Sequence, residues 1–201
     1  MLTVTDRTEP VKCVDALTPM LYRPEGGQRG SNLHRYLRTF AFLFAGTCAV
    51  AQTSPFFIGD LKQFYTVRKG DLLKAADRMP AEDYDFKPTP EVRSFAQLLA
   101  HVIDAQMGFC SAVKGEPRKI NAAAKTSKAD LVAALKVSFE ECDGAFALMT
   151  ESTAIQVVKA GGDRSKFSAL LYATLHDNEE YGYMSMYLRL KGLVPPSTDS
   201  R

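Results

Sequence analysis

From Ser54 to Lys191 the apolar residues recur at intervals of three and four, and hardly anywhere at intervals of two. Such a period commits a chain to helices that each hide one face, and leaves almost no strand to pair. The punctuation divides the segment into four. The first helix is expected from Ser54-Pro55, an N-cap followed by proline at the first helical position, through Ile58, Leu61, Tyr65, Leu72 and Ala75 to Met79, where Pro80 ends it. Gly70 inside it costs about 1 kcal/mol relative to alanine. The second opens on Ser94-Phe95-Ala96-Gln97, a capping-box pattern, and stops near Lys114 before Gly115. The third opens at Ser127 and carries the stripe Leu131, Leu135, Phe139, Cys142, Phe146 and Met149. The fourth runs from about Ser165 to Lys191, with Gly192 and Pro195-Pro196 beyond it. Between helices one and two, Tyr84 and Phe86 mark an extended connector whose aromatics pack on the bundle. Ile155, Val157 and Val158 mark a short extended piece before helix four. Four amphipathic helices of about twenty residues pack most simply as an antiparallel four-helix bundle, an all-α fold.

Composition narrows the function classes. Of 201 residues 46% are hydrophobic, enough for a core, and the formal charge of +2 is nearly balanced. With no basic tract, nucleic acid is not an expected partner. Four cysteines at 13, 48, 110 and 142 form no CxxC pair, which removes zinc-ribbon and thioredoxin-type chemistry.

The first quarter reads differently. Residues 35–51, RYLRTFAFLFAGTCAVA, place Arg35 and Arg38 before an apolar stretch from Thr39 to Val50 and then Ala49-Val50-Ala51. Basic, apolar and small-residue parts in that order make a secretory signal peptide cleaved after Ala51. The apolar part is too short to span a bilayer, so no stable membrane insertion is expected after cleavage. Residues 1–34 carry no helical or strand period and read as a disordered leader. A true start near Leu33 is the simplest reading, with a long-leader signal or a cytoplasmic tail as alternatives. The expected organisation is leader 1–34, signal 35–51 and bundle 52–201, with an exported product, periplasmic or extracellular.

Beyond the leader only two histidines remain, His101 and His176, both in mid-helix on faces that should point inward. His101 shares its face with Leu98, Ala105, Gly108 and Ala112. His176 shares its face with Ala169, Ala173, Glu180 and Tyr183. Small neighbours leave room between the helices, and Glu180 lies one turn beyond His176. Imidazole and carboxylate together suit a divalent transition metal, whether zinc, nickel, iron or manganese. Three protein ligands would leave an open position, the pattern of catalytic sites. The competing readings are a hydrogen-bonded core histidine, and a solvated run Asp177-Asn178-Glu179-Glu180 in which a one-residue phase slip turns Glu179 inward instead. Asp104, one turn after His101, is the nearest sequence candidate for a base, and is more simply a surface or orienting group.

The blocks YDFKPTPEVRSFAQLLAHVIDAQ (84–106) and LHDNEEYGYMSMYLRLKGLVPPS (175–197), in that order, resemble the DinB-like family of four-helix proteins. The resemblance covers about residues 56–196. It implies a metal held between helices two and four. In the family the ligands are three histidines. His101 matches the helix-two ligand and His176 the first of the helix-four pair, while the second of that pair falls on Glu180. The substitution either keeps ligation with a carboxylate or leaves a vestigial site. The resemblance further implies a metal-dependent enzyme of hydrolase or thiol-transferase type acting on a small molecule, with a non-catalytic exported binding or stress-related bundle as the alternative. Self-association as a homodimer is left open.

Cys110 lies about five residues before the end of helix two and Cys142 about fifteen into helix three. In an antiparallel hairpin they would differ by roughly 15 Å in axial level, beyond a disulfide's reach. Cys142 is then expected as a small core residue.

Overall fold

The computed structural model describes residues 56–199, so the leader, the signal segment and the expected cap at Ser54-Pro55 lie outside the described residues. The described chain forms α1 (Phe56–Arg78), α2 (Phe95–Lys114), α3 (Lys128–Ala147), a single-turn α4 (Glu151–Ala154), the strands β1 (Val157–Lys159) and β2 (Asp163–Ser165), and α5 (Lys166–Leu190). Short 3-10 turns at Ala81–Asp83, Ala122–Ala124 and Pro196–Thr198 lie in the connections.

The punctuation read from the sequence sets these limits. Ser94 Oγ accepts from Gln97 N at 3.2 Å, and Gln97 Oε1 accepts from Ser94 N at 2.9 Å, closing the capping box of α2. Gly115 follows α2 at φ 88°, a left-handed conformation that glycine takes without a Cβ penalty. Ser127 caps α3 through Asp130 N, and Ser165 caps α5 through Ser168 N. The connector between α1 and α2 is a 3-10 turn followed by irregular chain, not an extended run. Its aromatics do pack: Tyr84 is buried and donates to Ala76 O at 2.6 Å, and Phe86 meets Tyr187 edge-on.

α1, α3, α2 and α5 form a ring of four neighbours around one core. Leu72, Met79, Phe95, Leu99, Ile103, Leu131, Leu135, Phe139, Leu170, Met184 and Leu188 are wholly buried there. Each such side chain stabilises the fold by about 1.5–3 kcal/mol relative to exposure. The stripe expected on α3 is buried at Leu131, Leu135, Phe139, Cys142 and Phe146.

The helix directions depart from an all-antiparallel bundle. Gln106 meets Ser138, and Cys110 meets Cys142, each pair 32 residues apart, so α2 and α3 run parallel. Arg68 covers the Tyr181 ring and Arg78 reaches Val194 O, so α1 and α5 are parallel as well. Lys128 donates to Met79 O while Tyr65 donates to Phe139 O, which makes α1 and α3 antiparallel. Contacts of His101 with His176 and of Phe109 with Tyr172 make α2 and α5 antiparallel.

The parallel pair requires the α2–α3 connector to double back along α2. It does so with Arg118 N donating to Ser111 Oγ and Ala122 N donating to Asp104 Oδ1. The run it retraces is about 27 Å long at 1.5 Å per residue. The chain from Gly115 to Ser127 spans that easily, since extended chain covers about 3.3–3.6 Å per residue.

This topology overturns the expectation about the cysteines. Cys110 and Cys142 form a disulfide, with Cα atoms 4.9 Å apart. The axial offset reckoned for a hairpin vanishes when the two helices run the same way.

Candidate metal centre

The bundle brings the three expected ligands together across the α2–α5 interface. His101 Nε2 lies 3.0 Å from His176 Nε2, and each lies 3.7 Å from Glu180 Oε1. They form a group able to hold a metal ion. The phase ambiguity on α5 resolves in favour of Glu180, which is buried, whereas Glu179 is exposed and accepts from the Tyr183 hydroxyl. Tyr183 therefore belongs to the outer face and not to the face of His176, while Ala169 and Ala173 are buried beside it as expected. The His101 side chain is 39% exposed and those of His176 and Glu180 13% and 6%, so among the described residues the cluster is most open to solvent on the α2 side.

A cleft of about 580 Å³ lies on that side, lined by Arg93, Gln97, Ala100, His101, Asp104 and Lys125 among others. Asp104 Oδ1 accepts from Ala122 N at 2.8 Å and so holds the returning connector.

The protonation states favour ligation. Burial holds His101 below the usual imidazole range, aided by the Arg93 cation. Burial and the neighbouring His101 ring do the same for His176. Neutral imidazoles are what a metal requires. Burial pushes the Glu180 carboxyl up, with Arg93 opposing. A cation between the three groups would reverse that cost, because a buried carboxylate is stable only when paired or coordinated.

The donor set passes a geometric test. Donors bound tetrahedrally at 2.0–2.1 Å stand about 3.3 Å apart, and the three separations here bracket that value. At 3.0 Å one of the two Nε2 atoms must carry a proton that the other accepts. A metal ion would take the place of that proton. The Oε2 of Glu180 is buried with no partner among the described residues. The His176 Nδ1 is also unpartnered, so that ring lacks the outer hydrogen bond that commonly orients a ligating histidine.

Two neighbours were not singled out by the sequence. Arg93 ends the α1–α2 connector, where nothing but proximity to the cap at Ser94 marks it; its carbonyl accepts from the Tyr187 hydroxyl at 2.8 Å. Asp177, which the sequence places in a charged run, is fully buried. Gln106 Nε2 donates to its Oδ2 at 2.9 Å, and Ser138 Oγ donates to Gln106 Oε1 at 2.9 Å. The core rhythm Leu170, Ala173, Asp177, Tyr181, Met184 and Leu188 was the available signal for Asp177.

A four-helix ring with two inward histidines and a carboxylate on facing helices defines the class of bundle proteins that can hold a metal between helices. The DinB superfamily model matches residues 63–184, and the chain belongs to that superfamily. Among solved structures, it is similar in fold to a DinB-like protein from Bacillus cereus ATCC 10987. That likeness has a TM-score of 0.61 at 16% identity, over 69% of this chain and 95% of the other. It is also similar to a DinB-like protein from Bacillus subtilis, with a TM-score of 0.54 at 17% identity, over 66% of this chain and 92% of the other. No protein with a curated description matches.

Proposed function

We propose that this chain binds one divalent transition metal through His101, His176 and Glu180, and that it is a metal-dependent enzyme of the hydrolase or transferase type. The observation that carries the reading is the convergence of three donor atoms from two helices at near-coordination spacing, one of them, His101, on the wall of a solvent-open cleft. When bound, the ion would supply Lewis acidity and a lowered pKa for a nucleophile. The chain's own residues divide the remaining work. α5 fixes His176 and Glu180 one turn apart, and α2 brings His101 in from the open side. Arg93 places a cation at the mouth of the cleft, where negative charge developing on a substrate would be stabilised.

Export is part of the same proposal. It is supported by the signal-like order of residues 35–51 and by the Cys110–Cys142 disulfide, a bond that persists mainly in oxidising compartments. An exported protein meets few cytoplasmic thiols, which favours hydrolysis over thiol transfer.

The test is metal content of the full chain purified without chelator or metal-affinity tag, alongside His176→Ala. About one transition metal per chain, lost in the variant, is the expected result. A chain that takes up none after incubation with zinc, nickel, manganese or ferrous iron sinks the proposal. It would leave a non-catalytic bundle, a reading that the unpartnered His176 Nδ1 favours.

A further inference from the structure

A second cleft, of about 760 Å³, lies along α2 immediately beyond the metal centre and includes none of its three ligands. Its floor is the small-residue stripe Ala105, Gly108 and Ala112, spaced three and four so that one helix face is stripped of bulk. Phe109 and the turn Ala160-Gly161 form one wall, and Pro117 stands on the other. That turn is firmly set. Gly161 and Gly162 sit at φ 66° and 126°, and Arg164 Nε donates to Ala160 O at 3.0 Å while its guanidinium lies over the Tyr172 ring, which in turn meets Phe109.

The rim has the opposite character. Arg118 and Lys119 come from the returning connector and Lys159 from the end of β1, so cations approach from both sides. Arg118 shares the Glu141 carboxylate with Lys114, and Lys159 pairs with Asp163 across an exposed turn; no ion pair involves Lys119 among the described residues. The one acid on the lining, Asp104, already accepts from Ala122 N.

We infer that this cleft is a binding site for a small amphipathic carboxylate, its apolar body on Ala105, Gly108 and Ala112 and its anion between Lys119, Lys159 and Arg118. Pockets of this size engulf molecules of a few hundred daltons. An apolar floor with convergent cations selects an anion on a hydrocarbon body over either a bare anion or a neutral hydrocarbon. The α2 stripe leads from this floor back to the turn of His101, so a molecule held here lies beside the metal centre without depending on it.

Equilibrium dialysis of the full chain against octanoate, with octanamide as the uncharged match, tests this. Octanoate is expected to bind at least tenfold more tightly than octanamide. Lys119→Glu combined with Lys159→Glu should weaken octanoate at least tenfold and leave octanamide unchanged. Gly108→Leu, whose side chain meets open space and would fill the floor, should weaken both ligands. Circular dichroism confirms that each variant is folded, and the charge variants, wholly on the surface, keep the test decisive should Gly108→Leu unfold. Binding should persist in metal-free protein and in His176→Ala. Loss in either would place the carboxylate at the metal centre and overturn the assignment. So would no octanoate binding at millimolar concentration, equal binding of the two ligands, or indifference to the charge reversals.

Discussion

At the scale of single residues, Asp177 is the least expected feature. Burial pushes its carboxyl up to about 8, with the Gln106 amide opposing. A carboxyl whose folded pKa lies above its unfolded value makes the native state bind the extra proton. Stability therefore falls as pH rises from about 4 to about 8, by up to about 1.4 kcal/mol per pH unit. Asp177→Asn should flatten that slope and raise stability at pH 8, as read from urea unfolding across pH; an unchanged slope would mean that Asp177 is ionised in the fold. Glu180 answers a separate question. Glu180→Gln keeps the shape and removes the charge, so zinc affinity should fall at least tenfold while helicity holds. Equal affinity would assign the site to the two histidines alone. His101 and His176 were legible from spacing, whereas the choice of Glu180 over Glu179 was left open by spacing and pointed to by the family resemblance. Arg93 and Asp177 were not legible, because one sits in irregular chain and the other lies in a run of charge that reads as solvated.

Among the elements, the caps carried most of the legible information. Serines at 94, 127 and 165 set three helix starts because a side-chain oxygen answers backbone N–H groups that have no partner in the first turn. Ser94→Ala should destabilise the protein by about 1 kcal/mol, measured as a lower urea midpoint. Helix direction was not legible. Capping and periodicity are properties of one helix, whereas direction depends on where the connector packs, here through Ala122 to Asp104 and Arg118 to Ser111. The error about the cysteines followed from that gap alone. With the two sulfurs 32 residues apart, chain-entropy reasoning gives the disulfide about 3–4 kcal/mol of stabilisation. Cys110→Ala with Cys142→Ala should lower unfolding free energy by that amount, and reduction of the unmodified protein should do the same. Identical urea curves before and after reduction would show that the thiols are free in solution.

For the whole molecule, the α2–α5 seam joins two helices 75 residues apart through one cluster. An ion that binds the folded seam and not the unfolded chain stabilises by mass action, about 2.7 kcal/mol at a hundred times its dissociation constant. Zinc should raise the thermal midpoint of the unmodified chain and leave that of His176→Ala where it was, as followed by circular dichroism. A shift of equal size in both would trace the effect to binding elsewhere.

Two of the three ligands lie on the last long helix, so the order of synthesis matters. While a ribosome is still making the chain, His101 emerges alone. His176 and Glu180 follow only when α5 is nearly complete, and the seam cannot close until that helix docks. The growing polypeptide thus has no complete three-donor cluster, and any loading of the proposed metal centre would be confined to the finished protein.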